Sequence, residues 1–178
     1  MLIIFQAYLD IALMRRGPQS LPTSLPLLWL TLIGLGALAL IPIPGQAVTA
    51  LQTAAEFIIH ATMLASVVWL LLNGMKLRAR FIQTVTALFG AEFILTLLKL
   101  GVLMVFPDTF EEFRKTERPN APLMLLIGLE AWSLAVMSAI LRAAMAIGVM
   151  QSIGIIVLIL VLYLGAAGLL LPGLAATG

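Results

Sequence analysis

The apolar positions of this chain fall into five long runs, at residues 25–43, 48–72, 81–105, 123–141 and 145–171, separated by short polar breaks. Each run is close to the ~20 residues that carry a helix across a bilayer, so the pattern predicts an all-α, polytopic membrane protein with five transmembrane helices. Ahead of them, MLIIFQAYLDIALMRR is apolar almost all round apart from Gln6 and Asp10, and is too short for an ordinary span. It reads as a short N-terminal interfacial helix with Arg15 and Arg16 at the headgroups; the alternative is the first turns of a buried helix. GPQSLPTSLP then breaks the helical pattern with its prolines and glycine. Residues 1–24 are thus an interfacial amphipathic segment and linker, and residues 25–178 a single five-helix domain.

The run 81–105 is the one the others are expected to surround. It carries Glu92 near its middle and Lys99 seven positions later. Ionisable groups at that depth turn toward protein or water. At about 100° per residue, Glu92, Thr96 and Lys99 share one face, and Gln83, Thr86 and Gly90 lie nearly opposite. In 48–72, the residues Thr49, Gln52, Thr53, Glu56 and His60 form a polar stripe that should face the bundle interior. The fourth run holds Glu130, then Trp132, Ser133 and Ser138. Small residues mark two packing surfaces. Gly34, Gly36, Ala37 and Ala39 lie in the first run, and Ala144, Gly148 and Ser152 form a small-xxx-small ridge at the start of the last.

Composition agrees: 62% of the 178 residues are hydrophobic and 10% are charged, where soluble domains run nearer 45–50% and 25%. The absence of cysteine excludes disulfides and thiolate chemistry, and the dispersed basic residues give no support for nucleic-acid binding. No small-residue cleavage pattern follows the first apolar run, so no cleaved signal is expected. Lys76, Arg78 and Arg80 make the strongest orientation signal. Placed in the cytoplasm, they bring Arg15, Arg16 and Arg142 to the same side, with the N-terminus inside and the C-terminus outside. FPDTFEEFRKTERPNAP would then lie outside, either as a surface helix with Phe106, Phe110 and Phe113 along one face or as a solvated connector.

That topology sets Glu56, Lys99 and Glu130 at similar depths near the outer side, with His60 and Glu92 deeper. Lys99 is therefore expected to neutralise Glu56 or Glu130. The cluster Glu56, His60, Glu92, Lys99 and Glu130 has two readings: polar groups that fasten the helices by satisfying one another, or a protonatable pathway or small ion site. His60 alone reads first as a neutral, hydrogen-bonded core histidine and second as a proton-carrying or ion-contacting group. No catalytic, cofactor or metal site is expected: there is one histidine, no Gly-rich phosphate cradle and no Gly-x-Ser-x-Gly elbow.

RFIQTVTALFGAEFI and WSLAVMSAILRAAM resemble recurring span segments of small bacterial membrane proteins related to the Yip1-domain family. The resemblance implies five membrane helices, a cytoplasmic amino terminus and location in the bacterial inner membrane. The family's eukaryotic relatives bind small GTPases through a longer cytosolic region, which the residues before the first run here do not match. The expected role is a non-enzymatic membrane subunit that scaffolds or positions a complex, with lipids and another integral membrane protein or a second copy as partners. The alternatives are a proton- or ion-coupled transporter or channel using the buried His/Glu cluster, and lipid organisation by residues 1–16.

Overall fold

A computed structural model describes residues 2–42 and 49–175. Among these residues the chain forms seven α-helices and no strand: α1 Leu2–Ala12, α2 Leu25–Ala39, α3 Ala50–Gly74, α4 Phe81–Val105, α5 Thr109–Thr116, α6 Ala121–Met145 and α7 Val149–Ala175. Short 3-10 turns at Pro18–Ser20 and Arg78–Arg80 precede α2 and α4. Four helices, α3, α4, α6 and α7, are long and apolar enough to cross a membrane.

The run 25–43 departs from the expected length. Its helix α2 has 15 residues, ~22 Å at about 1.5 Å per residue, against a hydrocarbon core of ~30 Å. By length and composition the spans number four among the described residues, not five; position 43 lies outside them.

Local chemistry explains the helix starts. Ser24, Thr49 and Asn120 each accept a hydrogen bond from a backbone amide of the first turn, and Thr49 with Gln52 completes a capping box. The helix ends are less conventional. Met14 and Lys76 adopt left-handed conformations at φ 55 and 61. The bonds Arg15 N–H to Asp10 C=O and Leu77 N–H to Leu72 C=O close Schellman motifs around them, positions where glycine is usual. Ala146, at φ 56, ends α6 in the same region.

The bundle is built around α4, where every residue from 84 to 91 is buried, the mark of a helix enclosed on all sides. It packs against α1, α2 and α6, and α7 closes the assembly against α3 and α6. The small residues of α2 receive aromatic rings. A β-carbon on Gly34 would stand 3.2 Å from Phe93 of α4, and one on Gly36 would stand 3.0 Å from Phe57 of α3.

The Gln83/Thr86/Gly90 face of α4 meets the N-terminal segment. The Gln83 side-chain amide donates to the Leu21 carbonyl at 2.8 Å, and the Tyr8 ring lies on Gly90 so closely that a β-carbon there would come within 2.4 Å of it. Tyr8 shares a 2.6 Å hydrogen bond with Thr31 of α2, and the Trp132 indole N–H donates to the Ala12 carbonyl at 2.9 Å. Helix α1 therefore docks against the middle of α4 and α6, with Ala7, Tyr8, Ile11 and Ala12 buried and Ile3, Phe5 and Leu9 facing outward. One side of α1 thus belongs to the bundle.

The expected ridge of Ala144, Gly148 and Ser152 is also corrected, because the break at 146–148 puts its members on different elements. Ala144 is buried in the last turn of α6. Gly148 is exposed in the connection, where its N–H donates to Gln151 Oε1 at 2.9 Å. Ser152 is a packing position, fully buried and 2.7 Å from Ser138 Oγ across the α6/α7 contact.

Candidate functional site: a polar cavity within the bundle

Helical periodicity carries the polar residues to one place. On α3, Thr53, Glu56 and His60 recur at three- and four-residue spacing, as do Glu92, Thr96 and Lys99 on α4. Both sets line a cavity of about 370 Å³, which α2 borders through Leu35 and Ala39, α6 through Glu130 and Ser133, and α7 through Ile156, Ile159 and Tyr163. The other two members of the expected stripe, Thr49 and Gln52, are occupied instead in capping α3.

Within this space the charged groups form two levels. The deeper holds His60 Nδ1 and Glu92 Oε1 at 3.5 Å, and the Tyr163 ring stands edge-on to the His60 imidazole with centroids 5.5 Å apart. About two turns further along α4, Lys99 forms an ion pair with Glu130, which decides between its two expected partners. Glu56 lines the same wall as His60. All five cluster residues thus converge on one cavity.

Accessibility separates them. The side chains of His60, Glu92 and Lys99 are 27%, 25% and 24% exposed, so each meets the cavity while keeping most of its surface in protein, whereas Glu130 is 61% exposed and faces outward beside the Lys99 ammonium. The second carboxylate oxygen of Glu92, Oε2, is shut away and has no hydrogen-bond partner among the described residues. A buried carboxylate oxygen without a donor is costly while charged; a proton on the carboxyl or a cation beside it lowers that cost.

Among the described residues no group of three or more His, Asp or Glu side chains lies close enough together to hold a metal ion. His60 and Glu92 form the ionisable pair of the deeper level, on a wall that mixes polar and apolar side chains. Tyr163 was not singled out by sequence reasoning. The available signal was its position as the one polar-tipped side chain in IGIIVLILVLYLG, where a hydroxyl needs a polar neighbour.

A smaller cavity of about 280 Å³ lies at the other end of α4, among Gln19, Arg80, Gln83 and Ala144. The Arg80 guanidinium donates to the Ala144 carbonyl there at 2.9 Å, tying the start of α4 to the end of α6. Comparison with protein-family models, curated proteins and solved structures finds no match to this chain.

Proposed function

We propose that the chain is a non-enzymatic, proton-coupled membrane carrier whose solute site is the His60/Glu92 cavity. The carrying observation is the meeting of His60 and Glu92 at 3.5 Å on the wall of a cavity of about 370 Å³, within the ~300–1,000 Å³ range of small-molecule sites. A titratable pair inside spanning helices is the usual makings of a proton relay. The cavity wall supplies the apolar surface that a solute would exchange for lipid or water.

A five-crossing arrangement is part of this reading. The Leu21–Gln83 bond sets the start of α2 beside the start of α4, and the Gly36–Phe57 contact sets its other end beside the first half of α3. Both support α2 passing from one side of the bundle to the other despite its length. Lys76, Arg78, Arg80 and Arg142 gather at one end, which supports an N-in, C-out orientation. The cytoplasmic membrane of a bacterium follows only from the resemblance to Yip1-domain relatives.

The test is dissipation of an imposed pH gradient in proteoliposomes containing the purified full chain, with cationic, anionic and neutral amphiphilic solutes added in turn. The carrier reading expects faster proton entry than in empty liposomes, with His60→Gln and Glu92→Gln each slowing it several-fold. Proton entry equal to that of empty liposomes would overturn it. A second reading, a membrane subunit that positions another membrane protein or a second copy, is favoured by Glu130, whose outward-facing carboxylate within a span would gain from a protein neighbour. It expects a stable complex in mild detergent that Glu130→Gln weakens.

A further inference from the structure

The balance of charge in the cavity points to a class of solute. Three carboxylates, those of Glu56, Glu92 and Glu130, border it against the single ammonium of Lys99. Lys99 is already engaged with Glu130, which leaves Glu56 on α3 and Glu92 on α4 with no second ammonium or guanidinium among the lining residues. The Glu92 side chain is 25% exposed and so meets the cavity, while its enclosed Oε2 lacks a hydrogen-bond donor among the described residues. Apart from Thr53, His60, Thr96, Ser133 and the Tyr163 hydroxyl the rest of the wall is apolar, and it includes the rings of Phe57 and Tyr163.

We propose that the cavity takes a lipophilic organic cation, an alkyl- or arylammonium ion, held between Glu56 and Glu92. This deepens the carrier reading and rests on it. An anion would meet two carboxylates with only the His60 imidazole as a basic neighbour outside the Lys99–Glu130 pair, and a wholly apolar solute would leave them without relief. A metal ion needs ligands converging at about 2–2.5 Å, which the dispersed acids do not offer among the described residues. An organic cation spreads its charge over a larger radius. It is satisfied by carboxylates on two neighbouring helices and by the faces of aromatic rings, as quaternary ammonium groups are in aromatic cages. The apolar wall residues Leu88, Leu95 and Ile156 take up its hydrocarbon part.

Binding of such a cation competes with protons. The groups facing Glu92 are Glu56 and His60 from α3, Lys99 from its own helix, Glu130 from α6 and Tyr163 from α7. Helix α2 presents only Leu35 and Ala39 to the cavity, and α1 turns Tyr8 to the opposite side of α4, at Gly90. Protonating Glu56 or Glu92 removes the charge that holds the ammonium, and protonating His60 adds a like charge beside it. Both act in one direction, so affinity falls as pH falls, and entry of the cation releases a proton. This couples the solute to the proton gradient without any further group.

The test uses benzyltrimethylammonium, whose charge is permanent, with its uncharged carbon isostere neopentylbenzene and with benzenesulfonate as controls. Calorimetric titration of the purified full chain in a nonionic detergent should show binding of the ammonium ion alone. Lowering the pH from about 8 to about 5 should weaken binding by roughly tenfold or more. Glu92→Gln should weaken it by a similar factor and remove most of its pH dependence, and Glu56→Gln serves as a second variant should the first not fold. Equal binding of the carbon isostere, preference for the sulfonate, or an ammonium affinity unmoved by either variant would overturn the assignment. If the ammonium ion does not bind while liposomes with the chain still dissipate a pH gradient through Glu92, the solute class is wrong and the carrier reading stands. If neither occurs, both fall.

Discussion

At the scale of single residues, Gly90 against Tyr8 has the least room for a side chain of any described glycine. A methyl group at Gly90 would come within 2.4 Å of the Tyr8 ring, and Tyr8 is also held by Thr31, so the ring cannot move aside without breaking that bond. Gly90→Ala should therefore destabilise the protein by about 1–3 kcal/mol, the usual range for overpacking, measured by thermal unfolding in detergent. In a Tyr8→Ala background the same substitution should cost much less, because the two changes act on one contact. Thr86 gives the opposite case. Its hydroxyl is buried without a hydrogen-bond partner among the described residues, and Thr86→Val replaces it with a methyl of similar shape, so stability should be unchanged or rise by up to about 1–2 kcal/mol. A clear loss in the same unfolding assay would mean that the hydroxyl has a partner in the folded protein. Sequence periodicity placed Thr86 and Gly90 on one face of α4 but carried no information about which ring would settle there. The roles of Tyr8 and Tyr163 are not legible in the sequence for one reason: an isolated tyrosine in an apolar run has no periodic partner, and its role follows only from what crosses to meet it.

At the scale of elements, the polar faces were legible because helical spacing alone groups Glu92 with Thr96 and Lys99, and Glu56 with His60. The run 81–105 coincides with α4, Phe81–Val105, since Arg80 and Pro107 bound it. Helix ends set by left-handed caps were not legible. Met14, Lys76 and Ala146 occupy positions where glycine is the usual signal, so α1 stops short of the expected arginines, and the expected ridge across 144–152 is cut in two. Met14→Gly should stabilise the protein by about 0.5 kcal/mol: it removes a left-handed penalty of ~1–2 kcal/mol for a residue with a β-carbon against an unfolded-state entropy cost of ~0.4–1 kcal/mol. A loss of stability on that change would mean that the Met14 side chain, though largely exposed, contributes packing that outweighs the strain. Docking of α1 also changes what removal of residues 1–16 should do. Because Tyr8 and Ile11 are buried in the bundle, truncation should lower the unfolding temperature and uncover Gly90, beyond any effect on lipid association.

At the scale of the whole molecule, the arrangement divides into a basic end and a cavity whose charged side chains lie away from it. Helices α3 and α4 are joined through the short turn at Arg78–Arg80, so the first half of α3 stands beside the second half of α4, which is why Glu56 and His60 share a space with Glu92 and Lys99. The same geometry ties cavity access to orientation. If Lys76, Arg78 and Arg80 lie in the cytoplasm, the Lys99–Glu130 level of the cavity is nearer the outside, and a solute would reach Glu92 from there. The chain has no cysteine, so single cysteines report cleanly. A cysteine replacing Lys76 should react with a membrane-impermeant maleimide only after the membrane is opened, and one replacing Glu117, in the loop between α5 and α6, should react in intact cells. A cysteine replacing Thr53, which lines the cavity, should then be labelled from outside by a small permanently charged thiosulfonate, and benzyltrimethylammonium should slow its labelling. Labelling of position 76 in intact cells would invert the orientation and with it the direction of access. Labelling of position 53 unaffected by the ammonium ion would separate the cavity from the solute proposed for it.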